Sequence, residues 1–192
     1  MNFLYLEILY YITILIWLFP PIMQYGEKYF YFFLLLAFSD LSVLALHKLF
    51  QINSSYIHLL VIYFAYLSVL SKETLKKYKY LLLFLVLIIL FCFFIINKIS
   101  INYFIFIIIN FLIFLRILLT FITEIELEKT VKIFLIIFLL YELTVILKFI
   151  NIITGFTNAY FYFFVTTVFE IFFGLFFSIF KEGDTRVVLK LE

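Results

Sequence analysis

Asp40, Glu142 and Glu170 are carboxylic acids set inside stretches of sequence that are otherwise almost wholly apolar. An ionisable side chain near the middle of a bilayer costs at least about 2.5 kcal/mol on insertion scales, so each acid calls for a function or a partner. Measured from the midpoints of the apolar runs that hold them, Glu142 and Glu170 lie at or beside the centres of the sixth and seventh runs, and Asp40 lies slightly outward of the centre of the second. Tyr63, Asn110 and Tyr141 fall at the same level, and Thr166 stands one helical turn from Glu170. These seven residues form the expected intramembrane polar core. Such a group would hold and release protons, bind a cation or cationic ligand, or serve as hydrogen-bonded glue between helices.

No counter-charge is expected at that level. Arg116 lies about two turns nearer the opposite face at 1.5 Å per residue, and Lys148 lies near the end of its run. Three carboxylates without a local cation do not all ionise, so either some are protonated and hydrogen-bonded or something bound neutralises them. The seventh run carries the clearest pattern: Asn158, Tyr162, Thr166, Glu170, Gly174 and Ser178 recur every four residues, one polar or small-residue stripe on a Phe-rich helix. That face is expected to look into a bundle. The fourth run offers only Cys92 among its apolar residues and reads as peripheral.

Other chemistry has less support. His47 and His58 flank one loop with Asp40 deeper in the membrane, but a metal or pH-sensing site would need a third ligand at their own depth. Cys92 is the only cysteine, which excludes an internal disulfide and leaves it a small buried hydrophobe. There is no Gly-rich phosphate loop, nucleophile elbow or His-Glu-x-x-His, and no Arg-rich or repeated pore-lining signature. Among the apolar runs only Gly174 and no proline would break a helix, unlike the interrupted helices of many secondary transporters. No cofactor, no metal and no nucleic acid is implied.

The elements that position these residues follow from composition. With 68% hydrophobic and 14% charged residues and a mean hydropathy of +1.25, the chain cannot hide its apolar surface in a water-soluble fold, and lipid must be its solvent. The abundance of Phe, Ile, Leu, Tyr, Lys and Asn is also what an AT-rich genome would give, so the 30 Phe and 15 Tyr need no aromatic-binding function. The reading is an all-α polytopic membrane bundle of seven transmembrane helices at about residues 3–19, 29–46, 56–70, 78–96, 101–119, 131–150 and 158–180, a single domain over 1–180 with a short tail over 181–192. The first run lacks a preceding basic residue and a small-x-small cleavage site and is expected to be a retained helix. Breaks fall at Pro20-Pro21, Asn53-Ser54-Ser55, the charged stretch 71–79, residues 97–100, the acidic stretch 123–130 and Thr154-Gly155.

Charge sets the expected orientation. Lys48, Lys98 and Lys148 lie on one side, whereas Lys28, Lys72, Lys76, Lys77, Lys79, Lys129, Lys132, Lys181, Arg186 and Lys190 lie on the other, which makes the second side cytoplasmic and the N-terminus external. Arg116 is expected to snorkel to the cytoplasmic interface. The tail stretch 185–191 has strand-like composition and would either lie on anionic headgroups or add a strand to a partner's sheet. The functional expectation is a small sensing or membrane-anchoring subunit of the cell membrane, a bacterial inner membrane, with the lipid bilayer and a cytoplasmic or membrane protein reached through residues 185–191 as its partners. Its rivals are a proton- or cation-coupled transporter using Asp40, Glu142 and Glu170, and an intramembrane lipid-modifying enzyme.

Overall fold

The computed structural model describes residues 3–50, 54–95 and 99–190; the loop residues Asn53 and Lys98, and the side chains of His47 and Cys92, lie outside the described set. Among the described residues the protein is helical apart from one small sheet: α1 (Phe3–Trp17), α2 (Phe19–Met23), α3 (Phe30–Phe50), α4 (Ser54–Val69), α5 (Lys72–Lys77), α6 (Lys79–Ile95), α7 (Ile99–Glu128), β1 (Thr130–Lys132), α8 (Ile133–Thr154), α9 (Ala159–Ile179) and β2 (Val188–Lys190). Among the described residues Ile101–Glu128, Ile133–Thr154 and Tyr160–Ile179 are long and apolar enough to cross a membrane, and Glu7–Met23, Phe30–Val43 and Ile57–Val69 are shorter apolar helices. These features support a helical membrane protein.

Helix boundaries depart from the apolar runs where polarity and helicity part company. Pro20 and Pro21 start α2 instead of only ending α1, because a proline in a first turn gives up an N–H that has no intrahelical acceptor there. The fifth run ends near Leu119, yet α7 continues through Thr-Glu-Ile-Glu-Leu-Glu, where Glu and Leu are good helix formers and the Glu residues lower the hydropathy without breaking the helix. It stops at Lys129, whose φ of 53° is the left-handed turn that terminates many helices. At 30 residues α7 is about 45 Å long, so its acidic last turns reach past a hydrocarbon layer of about 30 Å. Val131 and Lys132, expected to open the sixth helix, belong to β1. Part of the charged 71–79 stretch folds as α5, N-capped by Ser71, whose hydroxyl accepts from the Thr74 N–H.

Six helices close a ring: α1 packs on α3, α3 on α4, α4 on α7, α7 on α8, α8 on α9, and α9 on α1. Helix α6 stands outside the ring with Tyr80, Leu81, Leu83, Phe84 and Leu87 exposed. It is fastened to α4 where the Tyr63 hydroxyl donates to the Leu82 carbonyl at 2.7 Å. The ring is filled at one end, the end bearing β1 and β2, by an aromatic plug. Phe32, Phe33, Phe134, Phe138 and Phe177 are wholly buried. Phe32 and Phe138 have centroids 4.8 Å apart, as do Phe33 and Phe177. Each such pair contributes about 0.5–1.5 kcal/mol beyond its burial.

Beneath the plug the chain is stitched by polar contacts that hydropathy does not reveal. Gln24, wholly buried, donates from Nε2 to the carbonyls of Phe177 (3.0 Å) and Phe180 (2.7 Å) and accepts from the Glu182 N–H at 3.3 Å. It thereby occupies carbonyls that the end of α9 would otherwise leave without partners. The tail forms the expected strand, and β2 pairs antiparallel with β1 of the same chain, with Val131 opposite Leu189. Glu124 and Lys132 form an ion pair at 3.1 Å beside it.

Candidate functional site

At the other end of the ring, above the plug, the six helices enclose a cavity of about 320 Å³. Every ring helix contributes to its wall: Tyr10, Thr13 and Trp17 from α1, Ser39 and Asp40 from α3, His58 and Ile62 from α4, Asn102, Tyr103 and Phe106 from α7, Tyr141, Val145, Lys148 and Phe149 from α8, and Phe163, Thr167 and Glu170 from α9. The volume corresponds to about ten water molecules at about 30 Å³ each, at the small end of ligand pockets. Its floor is the pair Trp17 and Tyr141, with ring centroids 4.9 Å apart, and both rings rest on the plug through Phe177.

The sequence expectation that no cation accompanies the acids is corrected here. Lys148 Nζ lies 2.7 Å from Glu170 Oε1, and the two side chains keep only 18% and 16% of their exposure. The lysine starts near the end of α8, but its long aliphatic stem reaches back along the helix and carries the ammonium to the carboxylate. It also lies over the Phe163 ring, 5.1 Å from the centroid. Residue position estimates the depth of a Cα; it does not fix the depth of a lysine's charge.

Of the seven polar residues singled out by sequence, the cavity gathers Asp40, Tyr141 and Glu170. The others are placed elsewhere. Tyr63 bonds α6, Asn110 donates to the Phe106 carbonyl of its own helix at 2.8 Å, and Thr166 bonds back to the carbonyls of Tyr162 and Phe163. Glu142 is wholly buried away from the cavity, and neither carboxyl oxygen has a hydrogen-bond partner among the described residues. The α9 stripe divides in the same way: Asn158 caps the helix, Glu170 faces the cavity and Gly174 packs against Ile16 and Trp17 of α1.

The sequence reading missed Tyr10, Thr13, Trp17, Ser39 and Thr167 as wall residues, and it had His58 near a loop. His58 Nδ1 lies 3.1 Å from the Ser39 hydroxyl, a contact between α4 and α3 on the cavity wall. Among the described residues no group of three His, Cys, Asp or Glu is close enough to hold a metal ion. Asp40 lines the cavity and has no hydrogen bond or ion pair among the described residues. The ammonium of Lys148 is bonded to Glu170 instead. The formal charge of the wall, two carboxylates against one ammonium with His58 neutral, is one negative unit.

At the plug end, outside the apolar spans, Lys28 is held below the usual lysine range chiefly by burial, against the pull of Glu182 and Glu124. Burial likewise pushes the Glu182 carboxyl up, with Lys28 and Lys132 opposing. Asp184 is brought down to about 2 by hydrogen bonds from the Arg186 side chain and N–H, and the Arg186 guanidinium is raised by the same contacts. These groups lie on the far side of the aromatic plug from the cavity and hold the tail; they do not belong to the site. Compared with known proteins, the chain matches no family model, no curated protein and no solved structure, so its function has to be argued from the cavity itself.

Proposed function

We propose that this protein is a small sensing subunit of the cell membrane that binds a compact ligand in the ring cavity. In this reading it crosses the bilayer seven times, in a bacterial inner membrane, with α1 entering from outside and the β1–β2 end in the cytoplasm. The observation that carries it is a cavity with an apolar and aromatic wall and a few converging polar groups, walled by all six ring helices and floored by Trp17 and Tyr141 over a wholly buried aromatic plug. A ligand seated there touches every helix of the ring and so biases their packing. The lysine-rich side of the sequence coincides with the plug end, which favours an orientation with the cavity toward the outside. The sheet offers the means of passing a change on: β2 is paired on one edge only, and its other edge is open to a strand from a cytoplasmic or membrane partner.

The runner-up is a proton- or cation-coupled transporter, favoured by the free carboxyl of Asp40 in the cavity. The wholly buried aromatic plug on the far side of the cavity weighs against it.

One experiment separates the two. The protein is purified under mild crosslinking for partner capture and, in parallel, reconstituted in proteoliposomes for proton and monovalent-cation flux. Capture of a defined partner, lost on removal of residues 185–192, with flux at the level of empty liposomes, supports the sensing subunit. Flux that disappears in Asp40→Asn overturns it. The topology is checked by impermeant thiol labelling in a Cys92→Ser background, with external reaction expected at a cysteine replacing Thr154 and none at one replacing Lys76 or Glu126.

A further inference from the structure

We propose that the ring cavity selects a small organic ammonium ion, with Asp40 as its counter-ion. The proposal rests on the reading of the cavity as a ligand site and names the class of ligand.

Three observations carry it. First, the fixed charges of the wall leave one carboxylate over: Lys148 is bonded to Glu170 at 2.7 Å, and Asp40 has no hydrogen bond or ion pair among the described residues. A carboxylate facing a low-dielectric cavity without a partner is unfavourable, and a cation admitted to the cavity removes that cost. Second, several aromatic rings line the cavity. Trp17, Tyr141, Phe106 and Phe163 present rings to the same space, and ring faces attract ammonium groups and cover the attached carbons. An anion would meet Asp40 and Glu170 with the only ammonium of the wall already engaged. Third, no cluster of three metal-ligating side chains exists among the described residues, and an inorganic divalent ion would find too few oxygens. The volume of about 320 Å³ limits the ligand to a compact amine or a quaternary ammonium headgroup. Both a free amine and the headgroup of an amino phospholipid carry that chemistry.

Trp17 is the only tryptophan of the chain and lines the cavity, so intrinsic fluorescence reports occupancy directly. The protein in phosphatidylglycerol nanodiscs is titrated with tetramethylammonium, n-butylammonium, neopentyl alcohol as a neutral branched control of similar size and n-pentanoate, and Tm is followed alongside. Saturable changes with either ammonium probe, absent with the alcohol and the carboxylate, and at least tenfold weaker in Asp40→Asn, are expected. Asp40→Glu, which restores the charge if Asp40→Asn fails to fold, is expected to retain the response. A saturable response to the alcohol or to pentanoate that is unchanged in Asp40→Asn overturns the ammonium assignment and leaves the ligand-site reading intact. No response to any probe overturns both. Repeating the titration in phosphatidylethanolamine nanodiscs separates the sources: an unchanged midpoint identifies a free amine as the ligand, whereas a midpoint raised severalfold shows that the lipid headgroup already competes for the site.

Discussion

Trp17 and Glu170 are joined through the main chain: the indole Nε1–H donates to the carbonyl oxygen of Glu170 at 3.2 Å. The same residue's carboxylate holds Lys148 of α8. Glu170 is therefore gripped from two sides, and α1, α8 and α9 meet at one residue on the cavity wall. This arrangement fixes the position of the only tryptophan, and with it the floor of the cavity.

The first prediction concerns that ion pair. With the carboxylate replaced by an amide, the largely buried Lys148 ammonium keeps an acceptor in the amide oxygen but loses its counter-charge. Glu170→Gln is accordingly expected to cost about 1.5–3 kcal/mol. The double variant Lys148→Met with Glu170→Leu, which removes both charges, should recover much of that loss. Thermal unfolding in detergent of Lys148→Met, Glu170→Leu and the double variant gives the coupling. Strictly additive losses would show that the pair contributes nothing to stability.

The second prediction follows from how close α1 and α9 come. A Cβ placed on Gly174 would lie 2.7 Å from Ile16 Cγ2 and 3.2 Å from Trp17 Nε1. The Ile16 methyl sits on a β-branched carbon and cannot swing away freely, so the helices would have to separate. Gly174→Ala is expected to destabilise by about 1–3 kcal/mol, the usual range for overpacking, and to shift the Trp17 emission as its hydrogen bond to Glu170 lengthens. An Ala variant with wild-type Tm and emission would mean that the two helices are not in close contact.

Much of this was legible in the chain and some was not, for identifiable reasons. The every-fourth-residue stripe ending at Gly174 and Ser178 marked the inward face of α9 because small and polar residues are conspicuous against phenylalanine. The peripheral place of α6 followed from its uniform apolarity. Lys148 was misplaced because position along a helix locates a Cα and leaves the reach of a four-carbon stem out of account. The wall residues Tyr10, Ser39 and Thr167 carry no periodic signal, since three-dimensional closure of the ring brings them together. Gln24 sits in a short segment between proline and glycine that reads as a loop, and only the packing of α2 under α9 gives its amide a task.

Gln24 supplies the third prediction. Gln24→Leu keeps the volume and apolar packing approximately but leaves the Phe177 and Phe180 carbonyls and the Glu182 N–H without their partner. Each buried orphan costs about 1–3 kcal/mol, so the substitution should rank among the most damaging outside the cavity. Hydrogen exchange should show increased rates localised to the end of α9 and the 180–187 segment. Unchanged protection there would show that water replaces the amide without loss.

The tail should respond to pH in two opposite senses. Asp184 has its native value lowered to about 2, so the contact with Arg186 favours the folded tail above the ordinary aspartate value of about 3.9 and fades as the pH falls toward 2. Glu182 is shifted upward by burial, so its contribution is complete below the ordinary glutamate value of about 4.3 and is lost as the pH rises through its native value. Proteolytic susceptibility of the tail against pH is expected to rise at the acidic end in the wild type. Asp184→Asn should remove the acidic limb, and Glu182→Gln should flatten the rise in susceptibility at higher pH. Identical profiles for all three proteins would show that neither group is linked to tail docking.

The last prediction separates Glu142 from Asp40, two acids that the sequence placed together. Glu142 is wholly buried between ring helices, and neither of its oxygens has a partner among the described residues, so a sulfur-containing side chain of similar length would lose no hydrogen bond there. Removing an unsatisfied buried polar group in favour of an apolar one of the same shape is neutral or stabilising. Glu142→Met is therefore expected to keep or raise Tm and to leave the Trp17 fluorescence response to alkylammonium unchanged, because Glu142 does not line the cavity. Asp40→Asn, by contrast, should change Tm little and weaken that response. A large loss of stability in Glu142→Met would reveal a partner for its carboxyl, and a lost fluorescence response with the fold intact would extend the ligand site from the cavity to Glu142.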